Sequence, residues 1–191
     1  TPDDLEITAS LRVCFEEDEK WSDVESLRLQ ELSAAPNLEV QYDHLKALAD
    51  IYQNKLNSPG KGIEMLEQAV SCRLDDAESL RILVAHYESI ERWDKFLGRF
   101  EQLAPYIGAE ELSPETVENL ARSYDTVAGN PEKAKQYYEL VLEERPDDVD
   151  VITILRRLSE AVGDYSTYAM MELELLQRDE DHEERIRRTF V

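Results

Sequence analysis

The residues that could do chemistry in this chain are few and lie far apart in sequence. The histidines are His44, His86 and His182, and the cysteines are Cys14 and Cys72. No two histidines have the spacing of zinc ligands, and neither cysteine is close to a histidine in sequence. Both cysteines stand among apolar helix positions, so reduced, buried thiols are favoured over a disulfide.

The acidic runs are the other candidates. Glu16-Glu17-Asp18-Glu19 lacks the alternating ligands and central glycine of a calcium loop, so a solvated helix end is the better interpretation. Asp75-Asp76 and Asp147-Asp148 precede predicted helices, where carboxylates accept hydrogen bonds from unpaired backbone N–H groups. The sequence contains no glycine-rich phosphate loop and no nucleophile elbow. We therefore predict a protein that is not an enzyme and has no metal and no cofactor.

The overall charge restricts the partners. The 191 residues include 43 acidic and 21 basic ones, and the net charge is −22. Nucleic acid and anionic membranes are polyanions, so this charge disfavours both and favours a basic partner. The alternative is that the acids merely coat solvated helices. No apolar run approaches the length of a membrane span. The chain begins with Thr1, from which we expect a cut or processed fragment. A cytoplasmic location is a separate expectation.

The elements that must position these residues come from an internal repeat. The chain aligns with itself, without gaps, when it is shifted by two units of about 36 residues each. Matching residues in this register include Trp21, Trp93 and Tyr165; Leu48-Ala49 and Leu120-Ala121; Tyr52 and Tyr124; Pro59 and Pro131. Two kinds of unit therefore alternate, and self-similarity at this period is typical of a helical solenoid.

The clearest unit is Leu120–Asp148, in which two amphipathic patterns are separated by Gly129-Asn130-Pro131. It resembles the tetratricopeptide repeat, which has small residues in both helices, an aromatic residue in each and a closing proline. The matching positions are Leu120, Ala121, Tyr124, Gly129, Ala134, Tyr138, Val141 and Pro146. One residue is inserted near Ala128, and the early tryptophan of the family is absent. The resemblance implies an all-α fold, a right-handed α–α superhelix of about five helix–turn–helix repeats and a C-terminal helix.

The repeats form one predicted domain over residues 1–191. Their expected bounds are about 3–36, 37–76, 77–110, 111–148 and 149–180, with 181–191 as a cap or a truncated sixth repeat. Ser22 and Ser113 are predicted helix N-caps. Gly62 aligns with Ala134, so we expect the two helices of repeat two to approach closely there. In the first helix, Leu5, Leu11, Cys14 and Phe15 are expected to face inward.

The resemblance also implies where a partner would bind. The first helix of each repeat, helix A, lines the concave groove in this family, and its non-packing positions contact a peptide or a partner's helix. The positions carried over are Glu16, Asp43, Lys46, Asp50, Asn54, Glu78, Arg81, Glu88, Glu118, Arg122, Asp125 and Arg157. Acids predominate, which argues against the clamp for acidic chaperone tails. We predict a non-catalytic scaffold that binds a basic peptide or the basic face of a partner protein.

Two alternatives accompany that hypothesis. The chain could be a structural segment of a longer, self-assembling array, which would make self-association its main property. The two-repeat superperiod also resembles bacterial arrays that act in motility, polarity or assembly, sometimes with a small GTPase partner.

Overall fold

The computed structural model describes the backbone of residues 2–189 and the side chains of 7–108 and 110–179. The described backbone consists of helices joined by short turns, with no strand. Its helices are α1 (Pro2–Glu17), α2 (Trp21–Ser33), α3 (Leu38–Asn54), α4 (Pro59–Cys72), α5 (Ala77–Ser89), α6 (Trp93–Leu103), α7 (Pro114–Thr126), α8 (Pro131–Glu144), α9 (Val149–Val162) and α10 (Tyr165–Thr189), with short 3₁₀ turns at Ala104–Tyr106 and Ala109–Glu111. The predicted all-α class is confirmed.

The chain divides into two compact units. The first unit is Thr1–Tyr87 with Gly98–Tyr106, and the second is Glu88–Leu97 with Ile107–Val191. In the first unit α1 packs on α2, α2 on α3, and α3 on α4; in the second, α7 packs on α8, α8 on α9, and α9 on α10. Consecutive helices thus pair within each unit, which gives the tetratricopeptide-like repeat fold.

The turn inside every repeat contains one residue in the left-handed backbone region. It always lies two positions before the second helix, helix B, begins. The five residues and their φ angles are Glu19 (56°), Asn57 (48°), Glu91 (55°), Gly129 (59°) and Gly163 (76°). The two-repeat shift relates the first of them to the third and the third to the fifth, and it relates the second to the fourth. The backbone therefore repeats in the register that the sequence identities predict.

Small residues allow the two helices of a repeat to cross closely. A Cβ atom added to Gly62 would lie 2.6 Å from Gln53 Cγ and 3.2 Å from the carbonyl oxygen of Ala49. In repeat four the equivalent positions are Ala121 and Ala134, and both are fully buried. The close approach predicted at Gly62 is confirmed.

Side-chain caps fix most helix starts. Asp76 Oδ1 accepts from the Ser79 N–H at 3.1 Å, Asp148 Oδ1 accepts from the Val151 N–H at 3.2 Å, and Ser113 Oγ accepts from the Thr116 N–H at 3.1 Å. These caps are confirmed, with Asp76 and Asp148 as the capping member of each acidic pair.

The N-cap predicted at Ser22 is wrong. Helix α2 begins at Trp21, and Lys20 at the cap position makes no side-chain cap bond. The left-handed turn at Glu19 is closed by the Trp21 N–H, which donates to the Glu19 carbonyl at 3.0 Å. The helix therefore starts two residues earlier than an N-cap at Ser22 requires, and Ser22 lies in its first turn.

The inward face predicted for the first helix is partly wrong. Cys14 is exposed, and Leu11 is 42% exposed. Arg12 instead points toward α2, where its Nε donates to Glu31, a carboxylate that is only 7% exposed. A partly buried ion pair therefore lies on the face expected for apolar side chains. Leu5 lies outside the described side chains. Both described cysteines are free, and Cys72 is partly buried.

Some apolar side chains of the later helices are exposed as well. Leu38, Val127 and Leu176 are exposed, because they lie at helix ends or on the outward side. Helix α10 runs without a break from Tyr165 to Thr189, across the boundary predicted at residue 180. Within the described part of the chain, no helix combines the length and apolar character needed to cross a membrane.

Candidate functional site

In the first unit the predicted surface lies on α3 and α5. Asp43, Asp50 and Asn54 are exposed along α3, and Glu78 and Arg81 are exposed on α5. These positions follow helical spacing on the side opposite the buried Leu45, Leu48 and Tyr52. The structure therefore places this part of the predicted set on one solvent-facing strip, which we call the α3–α5 strip.

Lys46 joins the two helices of the α3–α5 strip. Its Nζ lies 3.0 Å from Glu78 Oε2, 2.9 Å from Ser79 Oγ and 3.5 Å from Asp76 Oδ2. Burial lowers the pKa of Lys46, but the hydrogen bond to Glu78 and the charge of Asp76 outweigh it and raise that pKa. The ammonium group therefore stays protonated and is matched by two carboxylates.

Asp76 is held as a carboxylate in the same cluster. Burial raises its pKa, but hydrogen bonds from the Ser79 hydroxyl and N–H and from the Tyr42 hydroxyl outweigh it, so the pKa is lowered. Lys46 is the one lysine or arginine in α3. Among the described side chains, Asp43 has no ion pair, and Asp50 accepts only from Asn54, at 2.7 Å. The α3–α5 strip is therefore acidic where it faces solvent.

Glu16 does not belong to this strip. Its Oε1 accepts from Arg12 Nη1 at 2.9 Å and from Arg28 Nη2 at 3.2 Å. His44 Nδ1 lies 3.6 Å from Glu31 in the same polar cluster. Burial lowers the pKa of His44 even though the charge of Glu31 opposes it. The structure thus uses Glu16 to hold α1 against α2.

In the second unit Glu118 lies between two arginines. Arg122 Nη2 donates to Glu118 Oε1 at 3.0 Å, and Arg145 Nη2 donates to Glu118 Oε2 at 2.7 Å. Arg145 Nη1 also lies 3.4 Å from Asp148, the cap of α9. This chain of charges links α7 to the start of α9 through the turn that follows α8.

The remaining predicted residues of the second unit are also engaged. Arg157 Nη2 donates to Asp125 Oδ2 at 2.5 Å, which joins α9 to α7. Glu88 accepts from Asn119 Nδ2 at 3.0 Å and from Thr116 Oγ1 at 3.3 Å. Arg122 and Arg157 thus both pair with neighbouring acids. The predicted set therefore forms two groups, one in each unit, and most of its charges are matched internally.

One site was not predicted from the sequence. A cavity of about 530 Å³ opens in repeat four, between the first turn of α7 and the last turns of α8, and we call it the acidic cleft. Its lining residues are Glu110, Leu112, Pro114, Glu115, Val117, Glu118, Leu140, Val141, Glu143, Glu144 and Arg145. The floor is apolar, and five of the rim side chains are glutamates against one arginine.

The acidic cleft exists because repeat four lacks an aromatic residue that repeat two has. Tyr42, only 9% exposed, fills the equivalent space in repeat two and packs in a core cluster with Leu45 and Ala69. The Arg73 guanidinium lies 3.8 Å from the centre of the Tyr42 ring. The two-repeat shift puts Pro114 at the position of Tyr42. The two-repeat alignment pairs Pro114 with Tyr42, but in the sequence a proline at this place indicates the start of a helix and not a missing aromatic ring.

The described histidine, cysteine and acidic side chains that could bind a metal are not brought together. No three His, Cys, Asp or Glu side chains come together as metal ligands in the described part of the chain. His86 is partly buried, and its ring centre is 5.4 Å from that of Tyr87. His182 lies outside the described side chains.

No family model matches the sequence, and no curated protein matches it. Solved structures do resemble it. A crystal structure of the MamA protein is 17% identical over 94% of each chain, with a TM-score of 0.44. A tetratricopeptide repeat protein from Parabacteroides merdae is 14% identical over 93% of this chain and 66% of that one (TM-score 0.43), and PilF of Pseudomonas aeruginosa is 17% identical over 89% and 74% (TM-score 0.35). Each TM-score is below 0.5, so these similarities say nothing about partners or activity.

Proposed function

We propose that the protein is a non-catalytic interaction scaffold that binds a basic peptide, or the basic face of a partner protein, on the solvent-facing sides of its A helices. The observation that carries this proposal is the charge imbalance of the α3–α5 strip. Lys46 is matched by Asp76 and Glu78, whereas Asp43 and Asp50 have no cation. Exposed carboxylates without a counter-charge are the groups that gain most from an approaching lysine or arginine.

The charge of the whole chain supports the same partner. A net charge of −22 produces a negative field that speeds the approach of a cation and slows that of an anion. Because such steering is screened by salt, binding should weaken as ionic strength rises. A cytoplasmic location is part of the proposal, and the free thiols of Cys14 and Cys72 support it.

The test is a titration with three fluorescent peptides of equal length that carry net positive, zero and net negative charge, at low and high salt. We expect the native chain to bind the positive peptide and to lose affinity with salt. Asp43→Lys with Asp50→Lys should weaken that binding about tenfold or more. The matched control, Glu64→Lys with Glu132→Lys, makes the same charge change at exposed positions of the B helices α4 and α8 and should bind like the native chain.

Equal weakening in both double variants would refute the proposal, because the α3–α5 strip would then contribute no more than general charge. Tight binding of the neutral or negative peptide would refute it as well.

A further inference from the structure

We propose that the acidic cleft of one copy binds the segment 185–191 of a second copy, Arg-Ile-Arg-Arg-Thr-Phe-Val, with Phe190 entering the cleft and the arginines facing its glutamates. The side chains of this segment lie outside the described ones, and its chemistry is read from the sequence. This contact is independent of the partner proposed for the α3–α5 strip.

Repeat two shows what the space in the acidic cleft accommodates. There the Tyr42 ring occupies the equivalent place and lies beneath the Arg73 guanidinium. In repeat four Arg145 stands at the position of Arg73, but Pro114 supplies no ring. The apolar floor includes Val117 and the buried Val141. An aromatic side chain from outside would therefore restore the packing that repeat two makes internally.

The rim of the acidic cleft specifies basic neighbours for that ring. Four of its glutamates, Glu110, Glu115, Glu143 and Glu144, take part in no ion pair with another described side chain. In repeat two the equivalent residues are Leu38, Asp43, Ser71 and Cys72, so three of the four acids are particular to repeat four.

The segment 185–191 matches both requirements. It contains three arginines within the four residues 185–188, a density found nowhere else in the sequence, followed by Phe190. Its position also favours a second copy. Arg178 on α10 donates to Pro146 O at 3.4 Å and to Asp147 Oδ1 at 3.0 Å, beside the Arg145 that lines the cleft. The unbroken helix then continues to Thr189, about 16 Å further on.

Arg178 therefore lies beside the end of α8 where the cleft opens. Because α10 continues past Arg178, two copies that meet at this end can exchange their 185–191 segments about a two-fold axis. Such an exchange is closed and reciprocal, so it produces a dimer.

The test is the molar mass in solution, by sedimentation over a concentration series, of the full native chain and two variants. The tail variant is Arg187→Glu with Arg188→Glu, and the cleft variant is Glu115→Lys with Glu144→Lys. We expect the native chain to reach twice the monomer mass of 22.1 kDa. Each variant alone should remain a monomer at concentrations where the native chain is a dimer.

The decisive experiment is to mix the two variants, because the tail variant keeps an intact cleft and the cleft variant keeps an intact segment. An equimolar mixture should form a one-to-one dimer, because one of its two contacts is native and in the other the charges of both sides are reversed and remain complementary. The control variant Glu64→Lys with Glu132→Lys should dimerise like the native chain, and so should Asp43→Lys with Asp50→Lys, which separates this test from that of the proposed function. Unchanged helical circular dichroism in each variant shows that it is folded.

Three results would overturn the proposal. A native chain that stays monomeric at several hundred micromolar would exclude the contact between copies. A cleft that binds the segment of its own chain would give this same result and would also overturn the proposal. A native dimer that both variants also form would place the interface elsewhere. Binding of a synthetic 185–191 peptide by a monomeric native chain would assign the cleft to a different protein's basic segment.

Discussion

Repeat two and repeat four, which the two-repeat shift superposes, have a left-handed residue at the same turn position and an aspartate cap at the same position before the next helix, but they have different surfaces. Asp76 and Asp148 cap the helices that follow, and the left-handed residue of the turn is Asn57 in one repeat and Gly129 in the other. Positions of this kind are restricted by backbone geometry, because few residue types satisfy an unpaired N–H group or a positive φ. The repeats therefore agree where the backbone leaves little choice.

They differ where only charge and volume matter. Lys46 in repeat two binds the acids at the start of α5, whereas Glu118, at the equivalent position, binds Arg145 in the turn before α9. In each repeat a bridge joins the A helix to the region around the start of the next A helix, but the charge on the first A helix is reversed. The second difference concerns volume: the Tyr42 ring fills a space in repeat two that Pro114 leaves open in repeat four. One scaffold thus presents a filled surface in repeat two and an acidic cleft in repeat four.

The largest expected effect on stability is at Tyr42, compared with Pro114 at the equivalent position. Replacing the buried Tyr42 by alanine removes a ring and its contact with Arg73, and should lower the free energy of unfolding by about 3 kcal/mol. Pro114→Ala should lower it by less than about 1 kcal/mol, because no packed ring is lost there. Urea unfolding followed by circular dichroism measures both. Equal losses would show that the two positions are packed alike.

The crossing point of the helices gives the next test. Gly62→Ala gains about 1 kcal/mol of helix propensity but forces a methyl group against Gln53 and the Ala49 carbonyl, so we expect a net loss of about 1 kcal/mol. Ala134→Gly should also lose about 1 to 2 kcal/mol, through propensity and a lost buried methyl group. Urea unfolding curves of both variants measure these losses. A Gly62→Ala variant more stable than the native chain would contradict the tight crossing of the two helices.

The left-handed turns predict changes of opposite sign at equivalent positions. Glu91→Gly should raise stability by about 0.5 kcal/mol, because glycine adopts a φ of 55° without the steric penalty of a side chain. Gly163→Ala, at a φ of 76°, should lower it by about 1 kcal/mol. The melting temperatures of the two variants should therefore move in opposite directions, and a shift in the same direction would count against a shared turn geometry.

The smallest expected effect is at acid pH. Hydrogen bonds from the Thr167 hydroxyl and N–H, and then from Lys135, lower the pKa of Asp164 to about 2 from an ordinary value of 3.8. Because the folded-state value is the lower one, this stabilisation is complete above pH 3.8 and is lost as the pH falls toward 2. The native melting temperature should therefore drop more steeply over that range than that of Asp164→Asn. Parallel curves would mean that the carboxylate is not held in this way.

Much of the fold could be predicted because it depends on local signals. The register of the repeats follows from identities such as Tyr52 with Tyr124, and several helix starts follow from Pro114, Pro131 or a capping aspartate. The first helix could not be predicted in the same way. Its inward face depends on Arg12 meeting Glu31, and such a pairing is fixed by how α1 packs on α2 and not by either local sequence.

The surface was predictable only in part, for a related reason. Helical spacing identifies which residues of α3 face solvent, but not that Lys46 is matched by acids some thirty positions further on. The acidic cleft could be recognised only by comparing Pro114 with Tyr42 in three dimensions, because a missing side chain produces no sequence motif.

The most direct test of the proposed scaffold function is an amide chemical-shift map of the native chain titrated with the positively charged peptide. We predict that the largest changes fall on α3 and α5, centred on Asp43, Asp50 and Glu78, and that they diminish at high salt. Changes confined to the B helices α4 and α8, or spread evenly over every acidic residue, would contradict the assignment of binding to the A helices.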